Sequence, residues 1–266
     1  MSSYHAKKRL GQNFLKTESV IDRVVGLLDS KAGDTIVEIG PGHGALTLPL
    51  AASGATVWAV EFDRDMVGYL TALLKKLENV KLVHGDFLTF DPTEVPGERF
   101  KLIGNLPYNI TSPVIDWCLK YRSRIDCAVL MVQRELGARI AASAGGKDWS
   151  PLSILTQMVF DVEQVFDVAP SHFHPRPEVT STVLRLTPRA GVYSELPGSF
   201  ERIVRASFRH RRKLLVNNLA PEVVADSAAL ASVLAECGLA STARAEEIDI
   251  EKFLALTEAL ERHKLV

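Results

Sequence analysis

The chain has 266 residues, of which 47% are hydrophobic and 24% are charged. This composition supplies enough apolar mass for a sizeable core and excludes a disordered or collagen-like chain. Lysine and arginine number 31 and aspartate and glutamate number 32, which gives a formal net charge of -1. The molecule as a whole lacks the basic excess of many nucleic-acid-binding proteins, so any such surface must come from a local cluster of basic residues.

The three cysteines, Cys118, Cys127 and Cys237, form no C-x-x-C pair. An odd number of isolated cysteines in a long chain does not make a disulfide scaffold, and a reducing compartment fits best. Residues 1–16 lack the apolar core of a signal peptide, and no run reaches the roughly 18 apolar residues of a membrane span. We therefore expect a cytoplasmic protein without a membrane partner.

From Glu18 to about Asp34 the sequence predicts one amphipathic helix and its C-terminal turn. Short β-branched runs then alternate with helical segments that begin near Ala45, Asp63 and Pro113. The predicted strands are Thr35–Ile39, Thr56–Val60, Val80–Val83, Phe100–Gly104 and Cys127–Val132. Because parallel strands need crossover connections, this alternation predicts a doubly wound α/β sheet.

The pattern changes after Arg134. A helix to about Ser143 and a second helix from Pro151 precede two runs, Val162–Val168 and Val179–Leu186, which could form an antiparallel pair. A turn-rich stretch near residue 190 is followed by purely helical patterning. We therefore predict two domains, an α/β domain over residues 1–189 and a small all-helical domain over residues 190–266.

A glycine-rich turn follows the first predicted strand, in the order Glu38-Ile39-Gly40-Pro41-Gly42-His43-Gly44. Glycine permits a sharp turn and a close approach of the backbone to a ligand, and the helix beyond it offers unpaired N–H groups. In a dinucleotide fingerprint the third glycine follows the second by three positions, whereas Gly44 follows Gly42 by two. The shorter form resembles motif I of the Rossmann-like S-adenosylmethionine (SAM) methyltransferases, which disfavours an NAD site.

Two more carboxylates follow the next two predicted strands. Glu61 could accept hydrogen bonds from both ribose hydroxyls of a nucleoside, and Asp86, beside Phe87, could accept from the exocyclic amine of adenine. Taken singly, each group is more often an ordinary loop residue. Together they predict a nucleoside site, because parallel strands bring their carboxyl ends to one edge of the sheet.

The strand Phe100–Gly104 leads into Asn105-Leu106-Pro107-Tyr108. This tetrapeptide is similar to the N/D/S-P-P-Y/F/W motif of methyltransferases that act on exocyclic amino groups of nucleic-acid bases. An adenine N6 lone pair is delocalised into the ring, but it could attack in line if the Asn105 side-chain oxygen and the Leu106 carbonyl accepted the two N6 hydrogens. Pro107 would fix the backbone, and Tyr108 would stack on the everted base.

Four further matches are Gln12–Leu15, Asn109-Ile110, Phe173–Ser181 and Arg211–Lys213. The combination resembles the small-subunit (16S) ribosomal RNA adenine N6,N6-dimethyltransferase family, of the KsgA type, from about Lys8 to at least Leu219. The resemblance implies SAM-dependent dimethylation of two adjacent adenines in a hairpin loop near the 3′ end of 16S rRNA, within the immature small ribosomal subunit. Glu178 and Thr180 stand where the family more often has lysine and aspartate, and we expect an altered RNA contact there.

The same resemblance implies the roles of individual residues. The predicted SAM-binding residues are Asn13, Leu15, Glu38, Gly40, Gly42, Glu61, Asp86, Phe87 and Asn105. The predicted catalytic residues are Asn105, Leu106, Pro107, Tyr108 and Phe173, with Phe173 opposite Tyr108 across the target base. His172 and His174 could be read as a metal pair, but further ligands are absent at useful spacing, so we expect no metal.

One local cluster supplies the basic surface. Its six residues, with no acidic residue among them, are Arg202, Arg205, Arg209, Arg211, Arg212 and Lys213. On one continuous helix Arg202, Arg205, Arg209 and Arg212 would lie opposite the apolar face formed by Phe200, Ile203, Val204 and Phe208. We expect this cluster to bind rRNA phosphates, with Lys7, Lys8 and Arg9 as a second basic patch.

Two alternatives remain open. The chain could act chiefly as a small-subunit assembly factor whose methylation is secondary. It could also be a related 23S rRNA adenine methyltransferase, which the Arg-Arg-Lys helical domain and the Asn-Leu-Pro-Tyr form disfavour. We expect a monomer, since no apolar excess demands a dimer.

Overall fold

The computed structural model describes residues 12–189, 197–220, 223–224 and 227–266. Contacts divide the chain into two compact units, Met1–Gly137 with Asp161–Pro188 and Ala138–Phe160 with Arg189–Val266. Residues 138–160 therefore group with the C-terminal helices, although the predicted division placed them in the first domain. The cause is contact within the second unit: the Trp149 indole N–H donates to the Ile248 carbonyl at 2.9 Å, and the Gly145 N–H donates to the Glu246 carbonyl at 2.7 Å.

The first unit contains most of the strands and the helices between them. In chain order its elements are β1 (Phe14–Leu15), α1 (Glu18–Gly26), β2 (Thr35–Ile39), α2 (Thr47–Ala52), β3 (Thr56–Glu61), α3 (Arg64–Leu74), β4 (Val80–His84), β5 (Phe100–Asn105), α4 (Thr111–Lys120) and β6 (Ile125–Gln133). Helix α5 (Arg134–Ile140) spans the boundary between the units, and α6 (Pro151–Val159) belongs to the second. The chain then forms β7 (Phe160–Val168), β8 (Phe173–His174) and β9 (Ser181–Pro188).

Seven strands of the described chain form one sheet in the order β4-β3-β2-β5-β6-β9-β7. The pairs β3–β4, β2–β3, β2–β5 and β5–β6 are parallel, whereas β6–β9 is antiparallel. The predicted doubly wound α/β sheet is therefore confirmed, and the two last predicted strands are neighbours in it. The strand order reverses between β2 and β5, and in open α/β sheets ligands bind outside the carboxyl ends of the strands at such a point.

The core of the first unit lies on both faces of this sheet. The four residues Ile36–Ile39 of β2 and the five residues Val57–Glu61 of β3 are all buried. Parallel strands covered by helices on both faces read as nearly continuous apolar runs, which explains why the sequence pattern located them. A separate two-stranded ladder pairs β1 with β8, with Phe14 opposite His174 and Leu15 opposite Phe173.

The second unit is helical in its described residues. Besides α6 it contains α7 (Phe200–Ser207), α8 (Leu215–Leu219), α9 (Ser227–Glu236) and α10 (Ile250–Arg262). Phe200, Ile203 and Val204 are buried on α7, as the helical pattern predicts. Among the described residues, no helix combines the length and apolarity needed to cross a lipid bilayer.

The prediction that one helix continues from Phe200 through Arg212 was wrong, because α7 ends at Ser207. The buried side chain of Asn218 causes this ending. Its Nδ2 donates to the Ser207 carbonyl at 2.7 Å and to the His210 carbonyl at 3.2 Å, while its Oδ1 accepts from the His210 N–H at 3.1 Å. Arg209 and the basic residues after it therefore lie in the turn that follows the helix.

Candidate active site

A cavity of about 290 Å³ lies at the carboxyl ends of β2, β3 and β5. This volume is near the lower end of the usual range for small-molecule sites, about 300 to 1,000 Å³. Its lining residues are Gln12–Phe14, Ile39, Gly40, Gly42, Val60–Phe62, Gly85–Leu88 and Asn105–Ile110. Seven of the nine residues predicted to bind a cofactor are in this lining, and the other two, Leu15 and Glu38, line a smaller adjoining cavity.

The glycine turn forms one wall of the cavity. Gly42 has φ +55°, and a Cβ added there would lie 2.9 Å from the Phe14 ring. Glycine is therefore required for both the backbone conformation and the space that the ring occupies. The His43 ring lies between Phe14 and Tyr69, with centroid distances of 4.3 Å and 5.3 Å. Burial, with a smaller contribution from His174, lowers the pKa of His43.

Glu61 ends β3 and is only 5% exposed. Its Oε1 accepts from the Asp63 N–H at 2.8 Å, and its Oε2 accepts from the Gly42 N–H at 3.3 Å. Burial raises the pKa of Glu61, which these two hydrogen bonds and a weaker one from the Phe62 backbone partly oppose. A carboxylate offers about four acceptor positions, so these backbone bonds leave room for a further donor.

Glu38, on β2, is a second buried carboxyl group. Its Oε2 accepts from the Thr47 hydroxyl at 2.7 Å, which links the strand before the glycine turn to the first residue of α2. Burial raises the pKa of Glu38 to about 8, and the nearby charge of Glu61 contributes in the same direction. Burial therefore favours the neutral, protonated form of Glu38 beside the glycine turn.

Asp86 and Phe87 follow β4. The exposed Asp86 accepts from the Leu88 N–H at 2.9 Å through Oδ1, which fixes the short turn Phe87–Thr89. Phe87 is buried, with its ring centroid 4.5 Å from that of Trp117. Phe87 therefore anchors the loop that carries the Asp86 carboxylate at the cavity.

The tetrapeptide after β5 is held from two sides. Asn105 Nδ2 donates to the Asn13 carbonyl at 2.8 Å, and the Leu106 N–H donates to the Met131 carbonyl on β6 at 3.0 Å. Because Nδ2 is the donor in the first bond, the orientation of the Asn105 amide is assigned, and its oxygen Oδ1 lies on the opposite side of the amide group. Pro107 has φ -54° and precedes the turn Tyr108–Ile110. The cavity is thus lined by an amide whose orientation is set by Asn13, the residue before β1.

Phe173, predicted to be catalytic, lies in the β1–β8 ladder. It is 2% exposed and belongs to the same apolar cluster as Leu15, its partner in the β1–β8 ladder. It does not line the cavity. The role of Phe173 opposite Tyr108 stays a prediction, and the segment Phe173–Ser181 reaches the Tyr108 ring through Ser181, whose Oγ lies 3.1 Å from the Tyr108 hydroxyl oxygen.

Several lining residues were not identified from the sequence. Phe62 is 60% exposed, which is unusual for a phenylalanine beside a buried glutamate. Gln12 Nε2 donates to Asp63 Oδ2 at 3.3 Å and so ties the start of the described chain to the loop after β3. Phe62 could have been found by its position next to Glu61 at a strand end, but the contact of Gln12 has no local sequence signal.

The charged groups in the lining are acidic. Glu61 and Asp86 contribute carboxylates, and among the residues that the structure describes no lysine, arginine or histidine lines the cavity. Such a site disfavours a pyrophosphate, which would place two more negative charges beside them, and favours a ligand that carries positive charge. In the described parts of the chain, no group of three or more His, Cys, Asp or Glu side chains is arranged to hold a metal ion.

The predicted RNA-contacting residues of the second unit are all exposed. Two of them already pair within that unit: Arg205 with Glu201 at 2.8 Å, and Arg211 with Glu246 at 3.3 Å. Arg211 also donates to the Lys147 carbonyl. The second predicted basic patch, Lys7, Lys8 and Arg9, lies outside the residues that the structure describes.

Comparisons with known proteins cover nearly the whole chain. A family model described as Ribosomal RNA adenine dimethylase matches residues 3–262. A curated Pseudomonas putida protein named Ribosomal RNA small subunit methyltransferase A is 39% identical over 263 residues, covering 97% of this chain and 96% of that protein. A Geobacter metallireducens protein of the same name is 40% identical over 264 residues, covering 96% of this chain and 95% of that protein.

Solved structures give the same picture of the fold. A dimethyladenosine transferase from Plasmodium falciparum superposes with a TM-score of 0.83 at 24% identity, covering 95% of this chain and 98% of that chain. The 23S rRNA methyltransferase ErmE superposes with a TM-score of 0.73 at 29% identity, covering 94% of this chain and all of that chain (100%). The prediction of a Rossmann-like methyltransferase fold with a helical C-terminal region is confirmed.

Proposed function

Because the chain belongs to the ribosomal RNA adenine dimethylase family and is an rRNA adenine dimethyltransferase, we propose that its substrate is 16S rRNA in the immature small ribosomal subunit. The target would be two adjacent adenines in a hairpin loop near the 3′ end, each converted to N6,N6-dimethyladenine. The name of the curated relatives supports the small subunit, since they are 39% and 40% identical to this chain, whereas ErmE, named for 23S rRNA, is 29% identical.

We propose that SAM is the cofactor and that the cavity beside Glu61 holds it. SAM carries a sulfonium and an ammonium group, which suits an acidic lining better than a pyrophosphate would. The Glu61 carboxylate suits the ribose hydroxyls, the Asp86 carboxylate suits the adenine amine, and the exposed Phe62 ring offers an apolar surface to the adenine. When bound, SAM supplies an electrophilic methyl group.

The observation that carries the proposed chemistry is the hydrogen bond from Asn105 Nδ2 to the Asn13 carbonyl. Since the amide nitrogen is already used as a donor, the Asn105 oxygen is the acceptor available to a substrate amine. Together with the Leu106 carbonyl it would accept both N6 hydrogens of adenine. As N6 attacks, positive charge develops on it, and two fixed oxygen acceptors stabilise that charge without reorganisation.

Tyr108 would hold the target base. An adenine inside a helical stack cannot present N6 to a methyl donor, so it must leave the stack and find a new stacking surface. The half-buried ring of Tyr108 lines the cavity next to Asn105 and offers that surface. Stacking of a base on an aromatic side chain is worth about 1 to 3 kcal/mol.

We propose that the exposed basic residues in α7 and in the turn that follows it bind rRNA phosphates. Within the second unit, Glu201 and Glu246 partly neutralise Arg205 and Arg211, so these two arginines would contribute less to phosphate binding than their charge alone suggests. Neutralising phosphates releases counterions, so binding would weaken steeply with salt. The enzyme would act as a monomer in the cytoplasm, where immature subunits assemble, and the N-terminal Lys7, Lys8 and Arg9 would add a second contact.

Methyl transfer to purified subunits tests this function. Small and large subunits that lack adenine dimethylation are incubated separately with the protein and isotopically labelled SAM, and their rRNA nucleosides are analysed by mass spectrometry. Labelled N6,N6-dimethyladenine at two adjacent positions of 16S rRNA is the expected product. Label in 23S rRNA alone would instead support the large-subunit alternative, and the Asn105→Ala variant bound to small subunits without transfer would separate assembly from catalysis.

A further inference from the structure

The segment Phe173–Ser181 reaches the tetrapeptide through its last residue. The Ser181 and Tyr108 hydroxyl oxygens are 3.1 Å apart, within hydrogen-bonding distance, so either one can donate to the other. Ser181 is 1% exposed, whereas Tyr108 is only half-buried. A buried hydroxyl therefore meets the polar tip of a ring whose remaining surface lies at the cavity.

The position of Ser181 is fixed by the sheet rather than by a loop. Ser181 is the first residue of β9 and lies opposite Gln133 in the antiparallel β6–β9 ladder. The next hydrogen bond along this ladder joins the Arg134 N–H to the Thr180 carbonyl at 3.0 Å. Ser181 thus sits on a rigid element, which holds a side chain more accurately than a loop does.

The same strand, β6, also holds the backbone of the tetrapeptide. The Met131 carbonyl of β6 accepts from the Leu106 N–H, and two residues later Gln133 faces Ser181. Tyr108 is therefore linked to the β6–β9 pair in two places. The backbone N–H of Leu106, two residues before it, bonds β6, and the Tyr108 hydroxyl meets Ser181 of β9. A phenylalanine in this place would keep the first attachment and lose the second.

We propose that Ser181 is a positioning residue that fixes the plane of the Tyr108 ring for stacking on the everted adenine. The inference rests on the proposed function of Tyr108 as the base-holding residue. A ring held only by its own torsions loses rotational freedom when a base stacks on it, and that loss opposes binding. The bond to Ser181 restricts the ring before the adenine arrives, so more of the stacking energy holds N6 in line with the methyl donor.

The test is a double-mutant cycle on single-turnover methylation of unmethylated small subunits at saturating SAM. Ser181→Ala and Tyr108→Phe each remove one half of the same hydrogen bond, and each should slow methyl transfer by about 2- to 10-fold. The double variant should be no slower than either single variant, because the bond is lost only once. Ser181→Thr keeps a hydroxyl and should restore most of the rate.

A neighbouring hydroxyl provides the matched control. Thr182, the next residue of β9, is fully buried, and its Oγ1 donates to the Phe166 carbonyl at 3.2 Å instead of meeting the cavity. Thr182→Val should lower the melting temperature without changing the methylation rate per folded enzyme. Ser181→Ala should show the opposite pattern, with a slower transfer step and unchanged SAM affinity in calorimetry.

The outcomes separate this inference from the proposed function. A wild-type protein that transfers no methyl group to 16S rRNA adenines would refute the proposed function itself. Wild-type transfer combined with a Ser181→Ala rate equal to the wild type would refute the positioning role alone. Effects of Ser181→Ala and Tyr108→Phe that multiply in the double variant would also overturn it, because independent losses cannot come from one shared bond.

Discussion

The Glu61→Gln substitution tests the cofactor site most directly. The wild-type carboxylate accepts from the backbone N–H groups of Asp63 and Gly42 and, in the proposed site, also from the ribose hydroxyls of the cofactor. Glutamine has one acceptor oxygen and one amide nitrogen in the same volume. At most one backbone donor can keep its bond, and the amide nitrogen must then face either the other donor or a ribose hydroxyl.

The magnitude follows from counting these bonds. The 3.3 Å bond to Gly42 is longer than the 2.8 Å bond to Asp63, so the bond to the glycine turn is the one expected to break. On the ligand side one charge-assisted hydrogen bond is lost and a second becomes neutral, and hydrogen bonds to charged groups are worth about 1.5 to 3 kcal/mol. A net loss of about 2 to 3 kcal/mol corresponds to a roughly 30- to 150-fold rise in the Kd for SAM.

Calorimetric titration of SAM into the wild type and the variant measures this change. Asp91→Asn is the control, because Asp91 also accepts from a backbone N–H, that of Thr93 at 2.9 Å, but does not line the cavity. At saturating SAM the turnover of Glu61→Gln should remain within about threefold of wild type, since Glu61 contacts no reacting atom in the proposed site. An unchanged Kd for SAM would refute the assignment of Glu61 to the ribose, whether or not turnover at saturating SAM also collapses.

The remaining predictions concern catalysis, RNA binding and pH. Asn105→Ala should lower the rate of methyl transfer by at least about 100-fold, the usual loss for one charge-stabilising group. Calorimetry should find the Kd for SAM within a few fold of wild type. Near-normal methyl transfer would contradict the role of the amide. Reversal of Arg209 and Arg212 to glutamate should weaken small-subunit binding in a salt-dependent pull-down. Equal binding by this variant would show that these residues do not contact RNA. Reversal of Arg262, which pairs with Glu236 at 2.8 Å, is the matched control and should leave binding unchanged. Glu38→Gln should change the pH dependence of unfolding, because burial raises the pKa of Glu38 from 4.5 to about 8. The native state retains this proton between those pH values and the unfolded state does not, so the wild type loses stability relative to the variant as pH rises from about 5 to 8, by up to about 1.4 kcal/mol per pH unit. Parallel stability profiles in urea titrations at pH 5, 6.5 and 8 would show that the group is not protonated in the folded protein.

The strands were the most predictable part of the fold. The interval Thr35–Ile39 is both predicted and observed, and β3 extends the predicted Thr56–Val60 by one residue to Glu61. Both strands are buried on two faces, so their composition alone distinguishes them from the helices around them. The helix after the glycine turn begins at Thr47 instead of near Ala45, because the chain is still turning at Gly44, which has φ +82°.

The end of α7 could not be predicted because a distant residue determines it. The apolar and basic residues from Phe200 to Arg212 fit one helix, and no proline or glycine interrupts them. Asn218, 2% exposed, replaces the next turn of helix by bonding the Ser207 and His210 backbone from eleven and eight residues away. The arginines therefore do not form a single helical stripe, and a rigid phosphate spacing cannot be deduced from the helical period.

In the candidate site, too, some features could be predicted from the sequence and others depend on residues far away in the chain. Glu61, Asp86 and Asn105 follow separate strands, and the parallel topology alone brings such residues to one edge, so their proximity was predictable. The orientation of the Asn105 amide was not, because it depends on the Asn13 carbonyl, 92 residues away in the chain. The two-residue ladder that holds β1 is too short to leave a sequence pattern, yet it also pairs Leu15 with Phe173. Strand order thus determines which groups meet at the cavity, and Asn13, just before the short N-terminal strand, determines which atom of the amide is left to accept a substrate hydrogen.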